Sequence, residues 1–275
     1  MCTTGVLRFA DGTYALFKNK DFGRTHLDDR IWLDHNVFGV LGMTTWANDD
    51  PANDQYSGFS IGANRHGLLC CDSNVVTLDG LVNYDVMTQV ALQQGTDVLS
   101  AAEAVRVACE SAPTSWGNLV LIDATSAASL EIRGSEVAIV SLLGPTARSN
   151  HHVILGHHEM QADNVTSDLR LASAQRRIEA ATAMSDIFEL QVSHDDGGTG
   201  VCNHTDLTTV YSYALVCDRG RTAIHVVQGQ PCSGAERVRI DIPLDEHHDQ
   251  TAVDEFLQTY PTAMKNNFAN VFQPQ

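Results

Sequence analysis

A cysteine stands at position 2, directly behind the initiator methionine. Removal of Met1 would leave one residue carrying both a thiol and a free α-amine. Their unperturbed pKa values, about 8.5 and about 7.7–8.0, let the amine serve as base for its own thiol near neutral pH. Such a residue can attack an amide carbonyl and hold the acyl group as a thioester. A second candidate follows from Asp11-Gly12, a strong signal for a two-residue hairpin loop. With those two residues as the loop, Ala10 faces Thr13, Phe9 faces Tyr14, and the ladder closes with Cys2 opposite Asp21. Facing residues have Cβ atoms about 4.5–5.5 Å apart, so an Asp21 carboxylate could orient the amine and adjust its basicity. The alternative is a solvated Asp ending a strand. Metal chemistry competes through His151-His152 and His157-His158 with Glu159. Adjacent histidines point to opposite faces of a strand and no HExxH or facial-triad spacing is present, so this is the weaker reading. His247-His248, beside Glu246 and Asp249, reads as a solvated acidic loop.

These residues need elements to position them. Residues 3–10 and 13–17 read as the two hairpin strands, and 65–76 as a buried strand entered through the turn around Gly62. Helices are predicted over 86–93 and 98–109, the second ending before Pro113. A meander follows over 119–124, 128–132 and 136–142. The clearest helix spans 167–184, with Thr166 and Ser167 as caps and Leu169, Ala172, Ile178 and Ala181 along one side. Strands 208–217 and 222–227 flank Asp218-Arg219-Gly220, and 238–242 adds another. Strands at both ends with helices between them argue for mixed α+β layers over a βαβ repeat.

Composition narrows the function. At 275 residues the chain can bury a large core without staples, and it reads as one domain over 1–275. Its formal net charge is −17, from 34 acidic against 17 basic residues, which excludes a phosphate backbone as partner. Seven cysteines, at 2, 70, 71, 109, 202, 217 and 232, show no CxxC and no pairing logic. That usage suits a reducing cytoplasm, and Cys70-Cys71 in its apolar run reads as core packing. The opening MCTTGVLRFADG lacks a basic segment followed by an apolar stretch, so no signal peptide is expected. No apolar run approaches the ~18 residues of a membrane span.

Several stretches, in order, resemble one family. Cys2-Thr3-Thr4, Asp11-Gly12 and Lys18-Asn19-Lys20-Asp21 are similar to the start of the choloylglycine hydrolase and penicillin acylase group. They are still closer to the related acyl-coenzyme A:6-aminopenicillanic acid acyltransferase (peptidase C45-like) proteins. Gly62-Ala63-Asn64-Arg65-His66-Gly67-Leu68 resembles the G-x-N-x-x-G-L turn and strand of these families. Ser149-Asn150-His151-His152 resembles their T-N-H element. Thr208-Thr209-Val210-Tyr211-Ser212 through Gly229-Gln230-Pro231-Cys232 resembles their closing hairpin.

The resemblance implies an αββα sandwich of two stacked antiparallel sheets between helical layers, the N-terminal-nucleophile (Ntn) hydrolase fold. It implies Cys2 as nucleophile with its own amine as base, and Asp21 holding that amine. Asn150 would donate its amide to the oxyanion, and Asn74 would be a second polar oxyanion or substrate contact. Arg170, in Ser167-Asp168-Leu169-Arg170, would lie near the nucleophile. Lys18 departs from the Arg of bile-salt hydrolases and cannot make the same bidentate contact. Strict register also puts it on the face opposite Cys2, so it is left out of the catalytic set. The implied activity is hydrolysis of linear non-peptide amides, or acyl transfer, on a small acyl amide with no cofactor. Related hydrolases are often oligomeric, so a homo-oligomer is among the expectations. Two alternatives stay open: an NRDE (transport-and-Golgi-organisation) protein, which opens Met-Cys and shares this expected fold but has no settled reaction, and a metal-binding protein using the His pairs. Loops 46–59 and 193–204 are expected to line the pocket without a readable substrate code.

Overall fold

In the computed structural model, which describes residues 1–23, 27–44, 54–76, 82–158, 165–195, 200–204, 206–244 and 249–262, the N-terminal hairpin forms strands β1 (Cys2–Arg8) and β2 (Tyr14–Phe22). Its turn differs from the expected one. Phe9 N–H bonds Thr13 O at 2.8 Å and Gly12 N–H bonds Phe9 O, with Gly12 at φ 88°. The loop is therefore the three residues 10–12, a tight turn closed by a left-handed glycine. The extra residue shifts the ladder by one, so Cys2 faces Lys20 and the expected Cys2–Asp21 pair does not form.

A seven-stranded antiparallel sheet runs in chain order: β3 (Ile31–Leu33), β4 (Val37–Met43), β5 (Tyr56–Asn64), β6 (Leu69–Asn74), β7 (Thr114–Ile122), β8 (Ala127–Gly134) and β9 (Glu136–Ser141). Helices α1 (Asp85–Gln94) and α2 (Val98–Ser111) interrupt it between β6 and β7. The chain then returns to the first sheet as β10 (Thr146–Arg148), and α3 (Val165–Ala180) and α4 (Met184–Gln191) follow. It closes with β11 (Thr208–Asp218), β12 (Arg221–Gln228), β13 (Val238–Asp241) and α5 (Gln250–Thr259). The first sheet has the order β10-β1-β2-β11-β12-β13.

Burial defines the layers. Leu16, Tyr213, Leu215 and Ile224 of the first sheet share one core with Phe38, Ile61, Cys71 and Val120 of the second. The second sheet's other face packs Leu41, Cys70, Leu119 and Leu130 against Leu92, Ala101 and Val105 of α1 and α2. The first sheet's other face packs Leu7, Phe17 and Ala214 against Ala174, Ile178 and Ile187 of α3 and α4. Helices, sheet, sheet, helices: this is the expected αββα sandwich.

The helix expected over 167–184 divides into α3 and α4, and its buried side also differs. Ser167, Arg170, Ala174 and Ile178, at helical spacing, face inward, while Leu169 is exposed. Two of these buried groups, Ser167 and Arg170, are polar, and both hydrogen-bond to Asn150.

Candidate active site

Cys2 lies where the sheet's outer edge loses its strand. Met1 and Asp21 exchange backbone bonds, Met1 N to Asp21 O at 3.0 Å and Asp21 N to Met1 O at 2.8 Å. Antiparallel alternation then makes Cys2–Lys20 the pair whose N–H and C=O point away from each other. On that outer side β10 reaches only from Val6 to Thr4 and ends at Arg148. Side chains take over where the backbone stops. Cys2 N–H donates to Asn150 Oδ1 at 3.0 Å, and Arg170 Nη1 donates to Cys2 O at 3.0 Å and Thr3 Oγ1 at 3.0 Å. Arg170 Nη2 closes the circle on Asn150 Oδ1 at 2.8 Å.

Asn150 is fixed from every side. Its backbone N–H meets Ser149 Oγ and Ser167 Oγ at 2.7 and 2.8 Å. Its Nδ2 donates to Asn74 O at 2.7 Å, which ties the end of β10 to the end of β6. Ser73 Oγ and Asn118 Nδ2 both hold Ser149 O, at 2.6 and 2.9 Å. The amide orientation is dictated by these partners: Oδ1 receives two donors and Nδ2 meets a carbonyl.

Asp21 is buried beside the N-terminus. Its Oδ1 accepts from Thr209 Oγ1 at 2.7 Å, while its Oδ2 has no hydrogen-bond partner among the described residues. Burial pushes this carboxyl above the usual range, opposed by the pull of the N-terminal amine and Arg170. Burial likewise lowers the amine of Met1, and it works against the Arg170 charge, with Asp21 opposing. Met1 sits in the site itself, its Sδ 3.5 Å from Arg170 Nη2. A narrow cavity with about 50 Å³ of free volume is lined by Met1, Cys2, Lys18, Asp21, Asn74 and Asp72 among others, with Phe22, Met43, Val76 and Leu207 as apolar walls.

Lys18 belongs on this side. The one-residue shift puts it in register with Thr4, two residues from the Cys2–Lys20 pair, so it shares the face of Cys2 and the expectation of the opposite face is corrected. It crosses between the sheets: Nζ donates to Asp72 Oδ1 at 2.7 Å, Asp72 O at 2.8 Å, and Ser60 Oγ and O at 2.6 and 3.0 Å. Burial opposes its charge, but Asp72 together with Cys2, Cys71 and Asp85 more than offsets this and raises its pKa, which keeps the ammonium protonated. Asp85, at the start of α1, is pushed well above the usual carboxylate range by burial and by the Asp72 carboxylate beside it. Sequence reasoning left out Lys18, Asp72 and Asp85. The signal was the β2 alternation, legible once the turn has three residues.

The five expected residues, Cys2, Asp21, Asn150, Asn74 and Arg170, therefore converge on one point. The histidine pairs do not. His151 Nδ1 meets Ser167 Oγ at 2.8 Å and its Nε2 faces Asp168, while His152 and His158 pack on Trp116. Glu159 and His247-His248 lie outside the described residues. Among the described residues a potential metal-ligand group does occur elsewhere: His194, Cys202, His204 and Cys232.

Neither a family model nor a curated protein sequence matches the chain. Solved structures do. Penicillin V acylase from Agrobacterium tumefaciens superposes with a TM-score of 0.51 at 15% identity, over 90% of this chain and 89% of that one. A variant of conjugated bile acid hydrolase from Clostridium perfringens gives 0.51 at 14% identity, over 90% and 99%. The chain has the Ntn-hydrolase fold. Within that fold, Cys2 occupies the first strand of a central sheet, at the end of the strand and beside a cavity. No helix among the described residues is long and apolar enough to cross a membrane.

Proposed function

We propose that the chain is an Ntn cysteine amidohydrolase of linear, non-peptide carbon–nitrogen bonds, active once Met1 is removed. One observation carries this reading: the backbone nitrogen of Cys2 is already held by Asn150 Oδ1, and Cys2 lines one cavity with Asp21, whose buried Oδ2 has no hydrogen-bond partner among the described residues. Cleavage after Met1 converts that nitrogen from an amide into the α-amine and vacates the space beside Asp21 and Arg170. The amine keeps Asn150 as acceptor and gains Asp21 as counter-charge. It takes the thiol proton, the thiolate attacks the amide carbonyl, and the second N–H of Asn150 Nδ2 meets the oxyanion. The α-ammonium returns its proton to the departing amine, leaving an S-acyl enzyme. Water, activated by the freed amine, then releases the acid. An amine acceptor in place of water would make the same site an acyltransferase.

The walls favour an uncharged acyl group. Both lysines of the cavity are committed to carboxylates, Lys18 to Asp72 and Lys20 to Asp29 at 3.3 Å, so neither is free for an acidic substrate. Apolar Phe22, Met43, Val76 and Leu207 suit an acyl chain. Intact-mass analysis before and after incubation with a panel of acyl amides tests the reading. The expected result is a chain lacking Met1 that gains one acyl mass on Cys2, with Cys2→Ala unreactive. Retention of Met1 in active protein, or full activity in Cys2→Ala, would overturn it.

A further inference from the structure

Four residues from three separate segments meet outside the candidate active site. His194 follows α4, Cys202 and His204 precede β11, and Cys232 sits in the 3-10 turn Pro231–Ser233 after β12. Their ligand atoms all lie within 4.8 Å of one another. His204 Nε2 is 2.8 Å from His194 Nε2, 3.1 Å from Cys232 Sγ and 3.5 Å from Cys202 Sγ, and the two sulfurs are 3.5 Å apart. A neutral ring nitrogen offers one hydrogen or one lone pair, so it cannot satisfy three such neighbours by hydrogen bonding. A disulfide does not account for the cluster either, since it needs its sulfurs about 2.05 Å apart.

A shared cation does account for it. Metal–sulfur bonds of about 2.3 Å and metal–nitrogen bonds of about 2.0–2.1 Å place tetrahedral ligand atoms about 3.3–3.8 Å apart. The two sulfur contacts at 3.5 Å fall in that range, the His204 contacts at 2.8 and 3.1 Å lie below it, and the widest separation, up to 4.8 Å, would have to close by about 1 Å as the ion enters. We propose that His194, Cys202, His204 and Cys232 form a tetrahedral Zn²⁺ site. Two thiolates with two imidazoles select zinc over the hard oxygen-seeking ions. All four positions are filled by protein, which makes the site structural. Binding deprotonates both thiols, so up to two protons leave as the metal enters.

The backbone prearranges this geometry. Cys202 N–H bonds Ser193 O at 3.1 Å, and a Cβ on Gly200 would come within 2.2 Å of Ser193 O and 2.4 Å of His194 Cα. Only glycine lets the two segments approach so closely. The site also reaches toward Cys2. Asn203, between two ligands, bonds Thr209 through both its N–H and its C=O, and Thr209 Oγ1 holds Asp21. The metal would thus fix the segment that supports the carboxylate beside the N-terminus.

The test is elemental analysis of the full chain purified without chelator, with Cys2→Ala as control. The expected result is one zinc per chain, unchanged in Cys2→Ala and reduced at least tenfold in Cys202→Ser and Cys232→Ser. Cobalt loading should give the thiolate-to-metal charge-transfer and tetrahedral d–d bands of a two-sulfur site. Should the cysteine variants fail to fold, His194→Ala alters an exposed ligand, and a chromogenic chelator should strip its zinc at least tenfold faster than from the unaltered chain, the scale of effect seen when metal-site support is removed. Folded protein that holds no zinc after incubation with the ion overturns the proposal. So does zinc that survives loss of both cysteines, or a Cys202–Cys232 disulfide in freshly purified protein.

Discussion

Lys18→Met tests whether the floor of the cavity is held by charge. The substitution keeps the length of the buried side chain and removes the cation that bridges β2 to Asp72 and Ser60. Asp72, about 1% exposed, then remains in the interior without its partner. Breaking a buried pair in this way costs about 3–5 kcal/mol. Unfolding entropy near 60 °C is about 2.1 cal/mol/K per residue, or about 0.6 kcal/mol/K for 275 residues, so the melting temperature should fall by about 5–9 °C. The sign of the pH dependence is also determined. The orphaned Asp72 carboxylate can escape its cost only by taking a proton, so the loss should be smaller at pH 5 and grow toward pH 8. Calorimetry at both pH values, on Lys18→Met and on Lys18→Met/Asp72→Asn, is the assay. Neutralising Asp72 as well should restore at least half of the lost stability. A loss below about 1 kcal/mol, typical of an exposed pair, refutes the reasoning. A pH-independent loss, or no recovery in the double variant, does so equally.

Asp85→Asn should change the alkaline side of the stability profile. The folded-state value of this carboxyl is raised, so its stabilising contribution is present below the unfolded value of about 3.9 and is lost as pH rises through the folded one. The amide cannot ionise and still accepts from Asn83 Nδ2, which bonds Asp85 Oδ2 at 2.8 Å. The melting temperature of Asp85→Asn relative to the unaltered chain should therefore climb from pH 5 to pH 9, and a falling difference would contradict the assignment. Asn150→Ala removes the acceptor of Cys2 N–H and of Arg170 together with the proposed oxyanion donor. Acyl-enzyme formation, followed by intact mass, should slow about 10²–10³-fold, and a change under tenfold would remove Asn150 from that role.

The site was more legible in the sequence than the geometry that builds it, for physical reasons. Cys2, Asp21, Asn150, Asn74 and Arg170 were expected because ordered short motifs mark them, and the structure brings them near one another, Asn74 through its backbone carbonyl. Periodicity alone would have missed Arg170, since its helix turns a charged residue inward and leaves Leu169 outside. Strands β3 to β5 were not expected at all. Every residue of β4 is buried, so it shows no two-residue alternation, and Gly39 and Gly42 dilute its strand propensity. Gly39 is nonetheless required, because a Cβ there would meet the Phe59 ring at 2.4 Å. The instructive error is the turn. Asp11-Gly12 correctly marks a hairpin, yet the same dipeptide serves a two-residue loop or the end of a three-residue one, and Gly12 at φ 88° closing on Phe9 selects the latter. One residue of loop exchanges the faces of an entire strand. It replaces Asp21 by Lys20 opposite Cys2, brings Lys18 beneath the thiol's cavity, and sets Asp21 against the backbone of Met1. Asp21 therefore faces Met1 across the ladder, one position beyond the Cys2–Lys20 pair, and its Oδ2 has no hydrogen-bond partner among the described residues. On the proposed mechanism processing and activation would be one event: the cleavage that creates the amine would also clear the space in which Asp21 would hold it.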